Sequence, residues 1–225
     1  MDRRSVDFAM LAVRVAAGTI FAAHGAQIYA LGHTVHTQQQ VGSNELAALK
    51  PVLKRHLGDT RPVTAPHPLP GDRAGLTLGG VRLELHYLGD AHFPGDAVVW
   101  LPRQRILFAG DLVFTDRMLG ILPQSRAVSW ERAFRRAERL FPGATVVPGH
   151  GSVGDWKHAR QDTGDYLHWL LTELRPAVEN WDDLETTVTR LRRNTPAHFL
   201  RLEHAASWNP TNINRTYLQL QQSGS

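Results

Sequence analysis

Cysteine is absent from the 225 residues. No disulfide framework can form, and any bound metal must be held by His, Asp or Glu. The absence does not identify a compartment. Also missing is any run of eighteen apolar residues without a charge, so no segment reads as a membrane-spanning helix. Residues 1–40 contain no Lys, Glu or Pro. They are alanine-rich, begin basic and carry small residues near positions 22–26, the outline of a signal peptide. Asp7 and Arg14 interrupt the apolar part and argue against export. A short buried strand or helix pair is the competing reading. A cytoplasmic location is therefore expected, and a periplasmic or secreted one if residues 1–26 act as a signal.

The length, with 42% hydrophobic and 20% charged residues, fits a single globular domain over 1–225 with an ample core. The net charge of +4 comes mostly from arginine. The densest basic run, ERAFRRAER over residues 131–139, interleaves Glu131 and Glu138 with its arginines. That pattern is a solvated helix face, so no nucleic-acid partner is expected.

The informative stretch is LGDAHFPGDAVVWLPRQRILFAGDL, residues 88–112. AVVWL and RILFA are short β-rich runs joined by Pro102-Arg103-Gln104, a hairpin signal. Gly89-Asp90-Ala91-His92 precedes the hairpin and Gly110-Asp111 follows it, so an antiparallel pair brings His92 and Asp111 to one end. ATVV followed by Pro148-Gly149-His150-Gly151 makes another strand end. Imidazole nitrogens and a carboxylate held on rigid strands are the donors that a zinc- or iron-type site requires.

These segments resemble three successive metal-ligand motifs of the metallo-β-lactamase superfamily. The resemblance implies a four-layer αββα sandwich of the α/β (α+β) class. It maps a site-one histidine, a metal-bridging carboxylate and a site-two histidine onto His92, Asp111 and His150. WNPTNINRTYLQL, residues 208–220, is similar to the closing helix of many members. The resemblance spans roughly residues 41–222.

The family's first motif, His-x-His-x-Asp-His trailed by Val-Gly-Ser-Asn, departs here. The trailer is present as Val41-Gly42-Ser43-Asn44. Anchored on it, Val35 and Thr37 replace the first two histidines, Gln39 the aspartate and Gln40 the last histidine. Val has no donor atom, and Gln and Thr are weak neutral donors. The remaining His92, Asp111 and His150 suffice for one metal at most, with zinc expected and iron as an alternative. His33 and His36 lie nearby and are the alternative replacements for the lost ligands, although they fall at the wrong offsets. His24, His56, His67, His158, His168, His198 and His204 show no ligand spacing. Few residues precede the first motif, so a shortened N-terminal half is expected. It should leave a sticky apolar sheet edge or face and favour a homodimer.

Around this centre Ser43 is expected to cap a helix that Pro51 kinks, and residues 62–70 to form a loop. Val81–Tyr87 alternates as a half-buried strand with Glu84 and His86 on its surface side. Residues 112–127 read as a long loop beside the site, of the kind that covers substrates. Ser129 is expected to cap a helix that stops at Pro142-Gly143. Residues 155–178, 180–193 and the stretch after Pro210 read as further helices, with His168 in the apolar stripe of the first. The reading that follows is a metal-dependent hydrolase acting on a small-molecule ester, thioester, amide or lactone, impaired by loss of the first motif. Asp111 would orient the water as well as bind the ion. A fold that lost its metal and serves as a binding or scaffold protein is the alternative.

Overall fold

The hairpin sits at the middle of the main sheet in the computed structural model, which describes residues 27–58 and 61–223. The signal-like stretch 1–26 lies outside the described residues. β1 (Tyr29–Leu31) pairs in parallel with β2 (His67–Leu69) as a separate two-stranded sheet. The main sheet is β3 (Arg73–Leu78), β4 (Val81–Tyr87), β5 (Ala97–Leu101), β6 (Ile106–Phe114) and β7 (Thr145–His150), in that spatial order. Its first four strands run antiparallel, and β6 and β7 are parallel. The parallel return is made through α2 (Ala127–Leu140), because a parallel pair needs a crossover. The helices after β7 are α3 (Trp156–Ala159), α4 (Asp165–Glu179), α5 (Leu184–Asn194), α6 (Ala197–Leu200) and α7 (Ala205–Ser223). A π-helical turn, Arg160–Gly164, joins α3 to α4. The α/β class is as expected. Among the described residues the second sheet of the αββα sandwich is represented by β1 and β2.

Alternation along the strands separates two apolar faces. Val98, Leu107, Ala109 and Val146 pack with the helices in the principal core. Leu83, Val99, Leu101 and Phe108 face the other way and form a second cluster. The centre of that second face is not the bare apolar surface expected of a shortened N-terminal half, for these four side chains are buried. On α2 the buried residues Ala127, Trp130, Ala133, Phe134 and Ala137 recur at helical spacing, while its arginines point outward. Complete burial of Trp130 and Phe134 stabilises this packing by roughly 2–3 kcal/mol each.

Several expectations are corrected. Ser43 does not cap a helix. It lies inside α1 (Gly32–Leu53), which begins eleven residues earlier and runs through Pro51 to its last turn. Ser129 likewise lies within α2, and Arg126 stands at its start. β2 arises within the segment 62–70 expected as loop, and β3 in residues given no assignment. Glu84 and His86 are not a surface pair. Glu84 is buried beneath Arg73, Arg82 and His86, which all bond its carboxylate, and His86 packs edge-on against Phe141. Burial pushes the His86 imidazole down from its ordinary pKa, against the raising effect of Glu84.

The segment after Asp111 is not a free lid. β6 continues to Phe114, and Met118, Leu119 and Ile121 are fully buried. Asn212 on α7 accepts from the Ile121 N–H at 2.8 Å and donates to the Leu119 carbonyl at 2.8 Å. Polar side chains from the closing helix thus satisfy a buried connection that has no ladder of its own. His168 is exposed beside Glu131 instead of lying in the apolar stripe.

Candidate metal centre

β5 starts at the end of the sheet where β6 finishes, and β7 finishes there because it runs parallel to β6. His92 precedes β5, Asp111 lies in the second half of β6, and His150 is the last residue of β7. Three separate sequence positions are thereby delivered to one place. Gly110 adopts φ 53°, and the β6–β7 register shifts on either side of it. Such a bulge re-aims the side chain that follows, here Asp111. Gly149 opposes this carboxylate closely enough that a Cβ would collide with Asp111 Oδ1.

The Asp111 carboxylate lies between the two imidazoles. Its Oδ2 is 3.5 Å from His92 Nδ1 and its Oδ1 is 3.6 Å from His150 Nε2. Bonds of about 2.1 Å to a tetrahedral ion separate neighbouring donors by about 3.4 Å, so each pair has the spacing of two ligands on one ion. The convergence is pairwise. Asp111 turns a different oxygen to each histidine, Oδ2 to His92 and Oδ1 to His150. Two neutral nitrogens and one anionic oxygen are a donor set suited to zinc or iron. Burial pushes the His92 imidazole below its ordinary pKa, with Asp111 opposing and His150 adding to the fall. This favours the neutral form that binds metal. Phe114 and Trp130 pack against the His92 ring, and Phe114 stacks on His150 at 4.9 Å.

The loop holding His92 contains a second carboxyl. Asp96 Oδ2 accepts from the Phe93 N–H at 2.7 Å. Burial pushes this acid up to about 7, and the charges of Asp111 and Asp90 push the same way. Gly95 donates to Asp90 Oδ1, which also accepts from the Tyr87 hydroxyl.

The stretch aligned with the family's first motif, residues 35–40, lies on α1. Val35 and Gln39 fall on one side of this helix and Thr37 on the other, since residues two apart diverge. Val35 is buried with Ile28, Ala30 and Ala65. His33 is bonded to Asp72 at 2.8 Å and stacked on Tyr87, and His36 is bonded to Gln40. Thr34 Oγ1 donates to the Gly95 carbonyl at 2.6 Å, which docks the start of α1 on the His92 loop.

One cluster escaped the sequence reading. His158 Nε2 lies 3.0 Å from Asp116 Oδ1 and 3.1 Å from Asp162 Oδ2. Among the described residues these three bring one donor atom each within 4.8 Å of one another. The i,i+4 spacing of His158 and Asp162 was a visible signal, but Asp116 comes from a distant loop.

A family model described as "Metallo-beta-lactamase superfamily" matches residues 16–150. The match reaches upstream of Val41 and closes on His150. A metallo-beta-lactamase type 2 of Bacteroides fragilis is 31% identical over 102 residues, 43% of this chain and 41% of that protein. A 2,4-dinitroanisole O-demethylase subunit alpha of Nocardioides sp. (strain JS1661) is 29% identical over 155 residues, 64% of this chain and 45% of that one. This chain therefore spans less than half the length of these curated relatives. A solved metallo-beta-lactamase from Pontibacter korlensis superposes with a TM-score of 0.52 at 26% identity, covering 66% of this chain and 60% of that one. A DIM-1 metallo-beta-lactamase structure, at TM-score 0.52 and 24% identity over 66% of this chain and 59% of that one, matches in fold. Among the described residues, no helix is long and apolar enough to cross a membrane.

Proposed function

This chain belongs to the metallo-β-lactamase superfamily, and from that premise we propose that it is a metal-dependent hydrolase of small-molecule esters, thioesters, amides or lactones. The observation that carries the reading is Asp111 set between His92 and His150 at 3.5 and 3.6 Å. Zinc held there, with iron the alternative, would supply Lewis acidity that lowers the pKa of water and offsets charge developing on the carbonyl oxygen. His92 and His150 are the neutral donors. Asp111 is the anionic donor and orients the attacking water. Water adds at the carbonyl carbon, the carbonyl–heteroatom bond breaks, and its proton leaves with the alcohol, thiol or amine.

We further propose that the site takes one ion and is slow. Three ligands leave no second closed shell, and α1 offers Val35, Thr37, Gln39 and Gln40 where the family's motif supplies donors. The same observation supports the rival reading of a binding or scaffold protein. Elemental analysis of the purified chain, beside a panel of ester, thioester, lactone and β-lactam substrates, separates the two. One zinc with weak turnover that disappears in His92→Ala and His150→Ala is expected. Two zincs with rapid turnover would refute the impaired site, and neither zinc nor turnover would favour the scaffold. A cytoplasmic location also belongs to this proposal. So does pairing of two copies along β3, which has no partner on its outer side among the described residues.

A further inference from the structure

The Asp116–His158–Asp162 cluster lies on the backbone that carries His150. We propose that Asp116 and His158 are positioning residues that brace the turn after His150 and so hold its imidazole toward Asp111. The metal-centre reading supplies the consequence of this brace, but the brace itself is a matter of backbone geometry.

Residues 151–153, which follow β7, are exposed and make no regular ladder of their own. The strand-end loop beyond Phe114 grips residues 150–152 at three points. Thr115 N–H donates to the His150 carbonyl at 3.0 Å, Thr115 Oγ1 donates to the Ser152 carbonyl at 2.8 Å, and Ser152 N–H donates to Asp116 Oδ2 at 3.0 Å. The approach is so close that a Cβ on Gly151, at φ +95°, would run into the Thr115 carbonyl. The grip depends on Asp116, a non-glycine residue at φ 60°. Its conformation is fixed from outside: its N–H donates to Asp162 Oδ2 at 2.7 Å, and its carbonyl accepts from Glu203 N–H at 2.9 Å.

His158 is the keystone of this arrangement. Its Nε2 lies within hydrogen-bond range of both carboxylates, which without it would face each other as like charges. Asp155 caps α3 by accepting from the His158 N–H at 2.9 Å, which sets where the ring begins. Hydrogen bonds from Ser152 hold the Asp116 carboxyl below its usual range, over the opposing effect of burial, with His158 adding to the fall. Each carboxylate is also engaged by a backbone N–H, Asp162 Oδ2 by Asp116 and Asp116 Oδ2 by Ser152. That describes a brace between three backbone segments, not an ion cage. The His150 ring stacks on buried Phe114 and meets Arg117 and Asp111, while its backbone is held by the turn. The turn thus fixes the backbone position from which the ring reaches Phe114 and Asp111, as outer-shell partners orient metal ligands elsewhere.

The test uses the full chain and two readouts. Zinc affinity, measured by competition with a chromophoric chelator, is expected to fall about tenfold or more in Asp116→Ala and His158→Ala, the usual cost of losing an outer-shell partner. In the metal-free protein, the His150 ring resonances by NMR should lose the ring-current shift that stacking on Phe114 imposes. His158→Gln, which restores an N–H donor, should recover part of both. Leu174→Ala, a core change on α4, is the control: it lowers stability and should move neither readout. Wild-type affinity together with unmoved His150 resonances in both alanine variants would overturn the proposal. So would equal changes in the control, or loss of a whole zinc equivalent that His92→Ala retains, which would make the cluster itself an ion site. Should the wild type bind no zinc, the metal reading falls and the NMR measurement alone decides the brace.

Discussion

Replacing Asp96 with Asn should change how stability depends on pH. Burial in the His92 loop raises this carboxyl from an ordinary 3.8 to about 7. The folded chain holds the proton across that interval and the unfolded chain does not. The unfolded state thus binds fewer protons, and unfolding free energy falls as pH rises. The stability tied to this group is full below about pH 4, declines between the two values and is gone above about 7. At about 1.36 kcal/mol per pH unit, the difference amounts to about 4 kcal/mol, a large share of the roughly 5–15 kcal/mol that holds an ordinary domain together. Asn is neutral throughout and can still accept the Phe93 N–H through its Oδ1. The variant should match the wild type near pH 4 and exceed it near pH 7.5, by about 10 °C in Tm if about 1 kcal/mol moves a chain of this size 2–4 °C. Urea and thermal unfolding of chelator-treated protein at half-unit pH steps would measure it. Parallel wild-type and variant profiles would refute the argument, since all other titrating groups are common to both.

Gly149→Ala should weaken zinc binding while the far-ultraviolet circular dichroism stays unchanged, because the added Cβ meets Asp111 Oδ1; unaltered affinity by chelator competition would count against Asp111 as a ligand. Thr163→Val removes both hydrogen bonds between the hydroxyl and the Phe114 backbone and should cost about 1–3 kcal/mol in urea unfolding. Trp130→Ala empties a fully buried site and cuts the Nε1 bond to the Leu112 carbonyl, with an expected loss of about 3–5 kcal/mol; a loss under about 1 kcal/mol would mean that α2 does not carry the core. Light scattering at high concentration should detect dimers, and a clean monomer would remove β3 as a pairing edge.

Local pattern was enough to show the hairpin, the strand before His150 and the helices that follow. Strict alternation and turn residues act over a few neighbours, so β5, β6 and the closeness of His92 to Asp111 were legible before any coordinates. The order of motifs likewise brought His150 to the same end, because a parallel return places both strand termini together. Tertiary structure decided the rest. α1 absorbs residues 34–40 because Val35 finds an apolar partner set in Ile28, Ala30 and Ala65, the last of them thirty residues away and outside any local window. Glu84 reads as a surface residue by alternation, yet it is buried because three cationic or imidazole groups close over it from β3 and β4. Met118, Leu119 and Ile121 look like a lid until Asn212, more than ninety residues later, supplies the hydrogen bonds that let their backbone go inside. The Asp116–His158–Asp162 brace joins two connections separated by the whole of α2 and β7. Its members are ordinary polar residues in sequence, and only the parallel β6–β7 pairing puts them within reach of one imidazole nitrogen.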